Sequence, residues 1–209
     1  MKGDSMKREE KSELTRERIL QAAIEEFGTN GYDASALNTI CSKNGISKGL
    51  IYYNFVDKDD LYLACVSRCF SKVTEFLEAQ DVQDDLEKYM TMRFQYFSEH
   101  PHHSRIFFEA MLQPPQALRE KIRELRKNFD SFNRGIYQVA LSKMKMREGV
   151  TEKDAVDYFE ILHEMFNGYF GSPAYAGKDF ENLVTDHEKW LSKMLNFMLY
   201  GLVEGRIDK

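Results

Sequence analysis

The sequence has little of what marks membrane, secreted or disulfide-bonded proteins. Its three cysteines, Cys41, Cys65 and Cys69, are odd in number and lack the spacing of a disulfide framework, which favours reduced thiols in a cytoplasm. No apolar run reaches the roughly 18 residues that cross a membrane. The polar start, Met1–Lys11, has no apolar stretch typical of a signal peptide. We therefore expect a cytoplasmic protein with no membrane partner, in which Cys65 and Cys69 fill a core rather than sense redox changes.

Proline is also scarce, because the four prolines all lie beyond residue 100. Apolar residues recur with the helical period and no alternating strand pattern appears, so we predict an all-α fold. Asn-Gly and Pro-Pro pairs predict the breaks between helices. The predicted helices cover residues 12–29, 35–43, 47–53, 57–79, 84–99, 102–112, 116–146, 152–171 and 182–203, after a frayed tail over 1–11.

This order predicts two domains. Residues 1–56 would form a tail and a three-helix head, and residues 57–209 a larger helical body that begins with a connecting helix over 57–80. The net charge is −5, which excludes a general polyanion binder. Residues 1–60 hold nine basic and eleven acidic residues, so any contact with nucleic acid must come from a local patch.

The head contains two short helices around a glycine turn, between residues 35 and 58. This is the plan of a helix-turn-helix, whose second helix enters the major groove of DNA. Gly45 can adopt the positive φ of a tight turn, and Ile40 and Ile46 would pack the two helices together. The surface that remains is small and rich in hydrogen-bond donors, and it could contact phosphates, sugars or base edges.

The stretch Thr15–Leu61 resembles the DNA-binding domain of the TetR family of bacterial regulators. The similar segments are T-R-E-R-I-L-Q-A-A, F-G-T-N-G-Y, I-C-S-K-N-G-I-S-K-G-L-I-Y-Y-N-F and D-K-D-D-L. The resemblance implies that the second helix of the motif faces DNA and that Ser35 and Lys58 contact phosphates at helix N-termini, a physically favourable site. Asn54 stands where the family usually has histidine, and Leu37-Asn38 stands where a small hydroxyl residue is common. The predicted DNA-binding residues are Ser35, Lys43, Ser47, Lys48, Gly49, Tyr52, Tyr53, Asn54 and Lys58.

A plain helical hairpin with surface lysines is the alternative for this segment. Residues 41–58 carry a net charge of +2, which supports only a small electrostatic footprint. The joint pattern over Thr15–Leu61 is more specific than a glycine turn alone and favours the DNA-binding interpretation.

Most aromatic and methionine residues lie in the body. The resemblance implies that the body encloses a small-molecule site and that the ligand moves the fourth helix and therefore the heads. For each aromatic residue core packing is the alternative, so the pocket depends on the analogy. The predicted effector is a small apolar or aromatic molecule, and the predicted ligand-binding residues are Phe107, Met111, Phe129, Tyr137, Met165, Phe166 and Tyr169.

The last two predicted helices are apolar on more than one side. Helix 152–171 has two apolar stripes, and the final helix is apolar almost all round, so both need cover. We predict a two-fold homodimer through these helices, which would also pair the reading heads. The alternative is burial inside one subunit. The predicted dimer-interface residues are Phe159, His163, Phe170, Trp190, Met194, Phe197 and Met198.

The histidines at 100, 102 and 103 do not predict a metal site. His102 and His103 are adjacent and point about 100° apart on a helix, so their ring nitrogens do not converge. No nucleophile with its base and no phosphate-binding loop is visible, and we predict neither an enzyme nor a cofactor. The preferred function is a ligand-responsive transcription regulator, a repressor that binds a palindromic operator in double-stranded DNA. An all-helical enzyme and a binding module whose head no longer reads DNA are the alternatives.

Overall fold

The computed structural model describes residues 2–83, 85–175 and 179–202, and this part of the chain is all α-helical, as predicted. It contains no strand and no helix that is long and apolar enough to cross a membrane. The helices of the described residues are α1 (Lys2–Ala34), α2 (Leu37–Asn44), α3 (Lys48–Asn54), α4 (Lys58–Ala79), α5 (Leu86–Glu99), α6 (Pro101–Leu112), α7 (Arg119–Ser142), α8 (Glu152–Phe170) and α9 (Phe180–Leu202).

The first helix differs from its prediction at the start and agrees with it near the end. Residues 2–11, expected to be a frayed tail, are helical, because this segment is rich in the helix formers lysine, glutamate and arginine. The helix is interrupted at Gly31, where φ is 77° and ψ is 174°. This break lies at the predicted Asn-Gly stop, and such a conformation is accessible mainly to glycine.

Several other helix boundaries also differ. The N-cap of α2 is Ala36 rather than Ser35. The Asp85 side chain accepts a hydrogen bond from the Lys88 amide and so begins α5 two residues later than expected. The predicted helix 116–146 divides into a short 3₁₀ turn, Gln116–Leu118, and α7, which ends at Ser142.

Helix α4 lies at the centre of the core and connects the head to the body. Its buried residues include Leu61, Cys65, Cys69 and Val73, and one continuous apolar cluster extends from α1 through α4 to α6 and α7. Burial raises the pKa of both thiols, which agrees with core filling. A second cluster joins α7, α8 and α9 around Tyr137.

The body also buries a group of charged and polar side chains. Arg93 of α5 and Glu188 of α9 are 2% and 3% exposed and form a bidentate ion pair, with Nε–Oε2 at 2.8 Å and Nη2–Oε1 at 3.0 Å. Nδ1 of His187 is 3.1 Å from Glu188, and its Nε2 is 2.9 Å from Asn167 of α8. Burial would raise the pKa of Glu188, but the charge of Arg93 and the interactions with His187 together outweigh burial and hold the pKa at about 2.

Candidate nucleic-acid interface

The turn between α2 and α3 depends on a glycine and on a distant arginine. Gly45 has the left-handed conformation, with φ 60° and ψ 35°. Its conformation lets the Ile46 amide donate to the Cys41 carbonyl at 3.1 Å. Nη2 of Arg18, on α1, donates to the carbonyl of Asn44 at 2.7 Å and so satisfies the end of α2. This role of Arg18 could not be predicted from the sequence, since a contact over 26 residues leaves no local pattern.

Helix α3 has one buried and one exposed side. Ile51 is fully buried, as is Ile40 of α2, so the two helices are fixed against each other as predicted. The Ser47 hydroxyl caps α3 by accepting from the Leu50 amide at 3.2 Å. On the opposite side Tyr52 is 49% and Tyr53 77% exposed, which places two phenol groups in solvent.

Lys48 and Gly49 lie on this outer side at the first turn of α3. Lys48 is exposed, and its Nζ is 5.9 Å from the centre of the Tyr52 ring. A Cβ placed on Gly49 would meet no atom within 4 Å. The protein itself therefore does not require glycine at this position, and close approach of another molecule is the physical reason that remains.

Two of the predicted DNA-binding side chains have hydrogen-bond partners within the head. Ser35 is only 4% exposed, and its hydroxyl donates to the Gly31 carbonyl at 2.6 Å and is 3.2 Å from the Glu26 carbonyl, so this side chain faces the interior and its phosphate contact stays a prediction. The Nδ2 group of Asn54 donates to the Leu50 carbonyl at 2.9 Å, within its own helix.

Lys43 and Lys58 lie nearer to solvent and have partners within the head. Lys43 is largely exposed, and its Nζ is 2.9 Å from the buried carboxylate of Glu26. The Nζ group of Lys58 is 4.3 Å from the centre of the Tyr32 ring and donates to the Asp33 carbonyl at 3.4 Å. Both ammonium groups can still accept a phosphate as an additional partner, because an ammonium has three donors.

A carboxylate of the body holds the end of α1 and α4 together. Both oxygens of Glu109, on α6, accept from the Tyr32 amide at 3.0 and 3.1 Å, and one also accepts from the Tyr62 hydroxyl at 2.9 Å. Burial raises the pKa of Glu109, and burial with the hydrogen bond to Asp59 raises that of Tyr32 to about 12. This link between head and body was not found in the sequence, since its residues are 77 and 47 positions apart.

The predicted ligand-binding residues do not come together around one cavity. Phe107 and Phe129 pack edge to face in the core with ring centres 5.1 Å apart, and Tyr137 stacks on Phe159 at 4.3 Å in the second cluster. Met111 and Phe166 lie at the borders of the core. Met165 and Tyr169 are 66% and 56% exposed on the outer side of α8. Core packing therefore explains the buried aromatic residues of this set.

On α8 the predicted dimer-interface residues are less exposed than the predicted ligand-binding residues Met165 and Tyr169. Phe170 is 1% exposed, and Phe159 and His163 are partly buried, so these three side chains pack mainly within the subunit. Met198 of α9 is also buried, whereas Trp190 and Phe197 are 48% and 79% exposed and Met194 is intermediate. The exposed apolar surface, called here the outer face, consists of Tyr158, Ile161, Met165, Tyr169, Trp190 and Phe197.

The histidines at the start of α6 take part in packing. The Tyr96 hydroxyl is 2.9 Å from Nδ1 of His103, and the His100 ring stacks on Tyr96 with centres 4.5 Å apart. Burial, with the charges of His100 and His102, lowers the pKa of His103 to about 4. Within the described residues no group of three metal-ligating side chains comes together.

Comparison with known proteins connects the head to a family. Residues 19–65, which include α2 and α3, match the family of bacterial regulatory proteins called the tetR family. The fatty acid metabolism regulator protein of Bacillus subtilis is 25% identical over 138 residues, which are 63% of this chain and 71% of that protein. IcaR, a negative transcriptional regulator of the biofilm operon icaADBC in Staphylococcus epidermidis, is 32% identical over 62 residues, 30% of this chain and 34% of IcaR.

A solved structure extends the similarity of the fold to the body. The transcriptional regulator FadR from Bacillus subtilis, determined in complex with stearoyl-CoA, is 19% identical with a TM-score of 0.57. The similarity covers 83% of this chain and 96% of that one, so the fold corresponds over most of the head and the body. IcaR and FadR are transcriptional regulators by name.

Proposed function

We propose that the chain is a transcription regulator of the tetR family, which residues 19–65 match, and that it represses transcription by binding a palindromic operator in double-stranded DNA as a homodimer. A small apolar molecule bound to the body releases the operator by favouring a different spacing of the two heads. The regulator acts in the cytoplasm, where its DNA is found.

The observation that carries this proposal is the outer side of α3. Lys48, Tyr52 and Tyr53 project from a helix whose inner side is fixed by the buried Ile51, so their positions are set before any partner arrives. An ammonium and two phenol hydroxyls are suited to phosphates and base edges. Their rigid support lowers the entropic cost of binding.

The outer face of α8 and α9 supports the homodimer. Within it, Tyr169 of α8 and Trp190 and Phe197 of α9 line a groove of about 470 Å³ between the two helices. Apolar side chains exposed together on adjacent helices are typical of a protein–protein interface. A second copy related by a two-fold axis covers the same surface on both subunits.

The relatives support repression and response to a ligand. IcaR is a negative regulator by its name, and FadR from Bacillus subtilis was determined in complex with stearoyl-CoA. A ligand reverses occupancy of the operator only if it binds the released conformation more tightly, by several kcal/mol for a complete reversal.

The proposal is tested by a mobility-shift assay with DNA from the region upstream of the chain's own gene. We expect a complex at low salt that weakens steeply as salt increases. Lys48→Ala with Tyr52→Ala should weaken binding at least tenfold, whereas the control Lys153→Ala, at an exposed lysine of α8, should not change it. Absence of any complex at low salt, or equal affinity of the double variant, contradicts the proposal.

The dimer is tested separately by sedimentation equilibrium. Phe197→Glu places a charge at the centre of the outer face and should convert the dimer to a monomer with weaker operator binding. A wild-type chain that is monomeric at micromolar concentration contradicts the homodimer.

A further inference from the structure

A cavity of about 510 Å³ lies where α1 of the head meets the body. We call it the junction cavity. Gly28 and Thr29 of α1 form one side, Arg105 of α6 forms another, and Phe180 and Val184 of α9 lie opposite them. Its volume is within the range of small-molecule sites. Unlike the aromatic core of the body, which is filled by its own side chains, this space is open.

The junction cavity contains the guanidinium of Arg105, which forms no hydrogen bond or ion pair within the described residues, although its charge acts on the nearby Glu109 carboxylate. The Arg105 guanidinium lies 4.6 Å from the centre of the Phe180 ring, and its Nε is buried without a hydrogen-bond partner. A buried donor left unsatisfied costs free energy. A guanidinium has a planar fork of donors that fits a carboxylate.

The acidic side chains of the cavity do not satisfy Arg105. Both oxygens of Glu188 already accept from Arg93, and Glu181 lies at the exposed edge. The pair of Arg93 and Glu188 has no net charge, so it does not strongly repel an anion.

The remaining walls are mainly apolar. Phe97 and Phe180 present aromatic rings, and Phe94, which is 56% exposed, covers the entrance. A ligand that fits all of these walls has an apolar chain or ring with a single anionic group. Simple inorganic anions would leave the apolar walls without a contact.

We propose that the junction cavity binds an amphipathic monocarboxylate, whose carboxylate pairs with Arg105 and whose apolar part lies between Phe97, Phe180 and Val184. This inference rests on the proposed function, since it assigns the effector site of the regulator. It also changes the location of that site, from the centre of the body to the contact between body and head.

The position of the cavity explains how its ligand reaches the head. The crossing of α1 and α6 is tight, because a Cβ on Gly28 would lie 2.4 Å from Cβ of His102. At the end of α1, a Cβ on Gly31 would be 3.1 Å from Nη2 of Arg105 and 2.9 Å from Oε1 of Glu109. A ligand that contacts both Thr29 and Arg105 therefore binds with a free energy that depends on the distance between α1 and α6. Helix α1 carries this dependence to α2 and α3.

The test is isothermal titration calorimetry of the full chain with three probes of equal chain length: decanoate, decanol and decylammonium. We expect decanoate to bind most tightly. Arg105→Gln should weaken it at least tenfold, and the control Arg119→Gln, at an exposed arginine of α7, should not. Thr185→Phe, at an exposed position of α9 beside the cavity, should also weaken decanoate at least tenfold because the larger ring occupies the space.

Operator binding gives the second measurement. Decanoate should lower the affinity of the wild-type chain for its DNA and have little effect on Arg105→Gln. Equal binding of decanoate by wild type and Arg105→Gln, tighter binding of decylammonium, or no binding of any probe overturns the inference. Calorimetry does not depend on DNA, so a chain that binds decanoate through Arg105 but never binds DNA contradicts the proposed function and supports the ligand class.

Discussion

In the head, the polar side chains of α3 point to solvent, whereas in the centre of the body Arg93, Glu188 and His187 are buried and satisfy one another. The two regions are similar in their apolar packing, since one continuous cluster passes through both. They differ in what completes their hydrogen bonds. The head leaves donors available to another molecule. The body uses most of its donors internally, and among its described residues Arg105 Nε, Tyr137 Oη and Asn167 Nδ2 are buried without a hydrogen-bond partner.

This difference explains why the centre of the body is poorly suited to a ligand. Its aromatic residues are in contact with one another, and its charges are already paired. A ligand there would have to displace well-packed side chains, which costs several kcal/mol. The buried Nε of Arg105, which has no hydrogen-bond partner, lies at the edge of the body beside the junction cavity, where we propose the ligand binds.

The largest expected effect comes from breaking the buried ion pair. Glu188→Ala leaves Arg93 buried without its carboxylate, and we expect the free energy of unfolding to fall by about 3–5 kcal/mol in urea denaturation. The exposed pair of Lys72 and Glu75 supplies a matched control, because Glu75→Ala should cost less than about 1 kcal/mol. If both variants lose the same small amount, Arg93 is reached by water and the contrast between head and body is wrong.

A smaller effect is expected from adding one methyl group to the head. Gly49→Ala meets no protein atom and improves helix propensity, so stability should stay the same or rise by up to about 1 kcal/mol. The same change should weaken operator binding about tenfold, which corresponds to about 1.4 kcal/mol, because the methyl group lies on the side of α3 that approaches DNA. Fluorescence anisotropy with labelled operator DNA and thermal unfolding would measure the two effects. Unchanged affinity would mean that α3 does not approach DNA closely at Gly49.

The smallest expected effect is the pH dependence of stability that the buried His187 of α9 contributes. Burial lowers the pKa of His187, so the unfolded chain takes up a proton near pH 6.5 that the folded chain does not. The contribution of His187 to stability is therefore complete above about pH 6.5 and is lost as the pH falls, by about 1 kcal/mol between pH 7.5 and 5.5.

His187→Gln isolates this contribution from other groups. Glu109, whose pKa burial raises, acts in the opposite direction over the same range, so the total slope alone is not decisive. We expect the loss of stability between pH 7.5 and 5.5 to be about 1 kcal/mol smaller in the variant than in the wild type. The same loss in both proteins would show that folding does not lower the pKa of His187.

Local chemistry made the head predictable. The Asn-Gly pairs place positive φ at Gly31 and Gly45, and Ser47 caps the helix that follows. The alternation of buried Ile51 with exposed Tyr52 and Tyr53 follows from the helical period alone. These features act over a few residues, so the all-α fold and the exposed side of α3 could be predicted without the tertiary structure.

The sequence by itself thus determined the helices, the glycine turn and the kind of surface that α3 presents. Only the tertiary structure decided which stripe of α8 faces outward, that Ser35 is buried, and that Arg18, Glu109 and Arg105 meet the end of α1 or α2. Two apolar stripes of equal period look alike in a sequence, and what separates them is the packing of other helices. Contacts between side chains dozens of residues apart depend on how the helices cross, which no local spacing records.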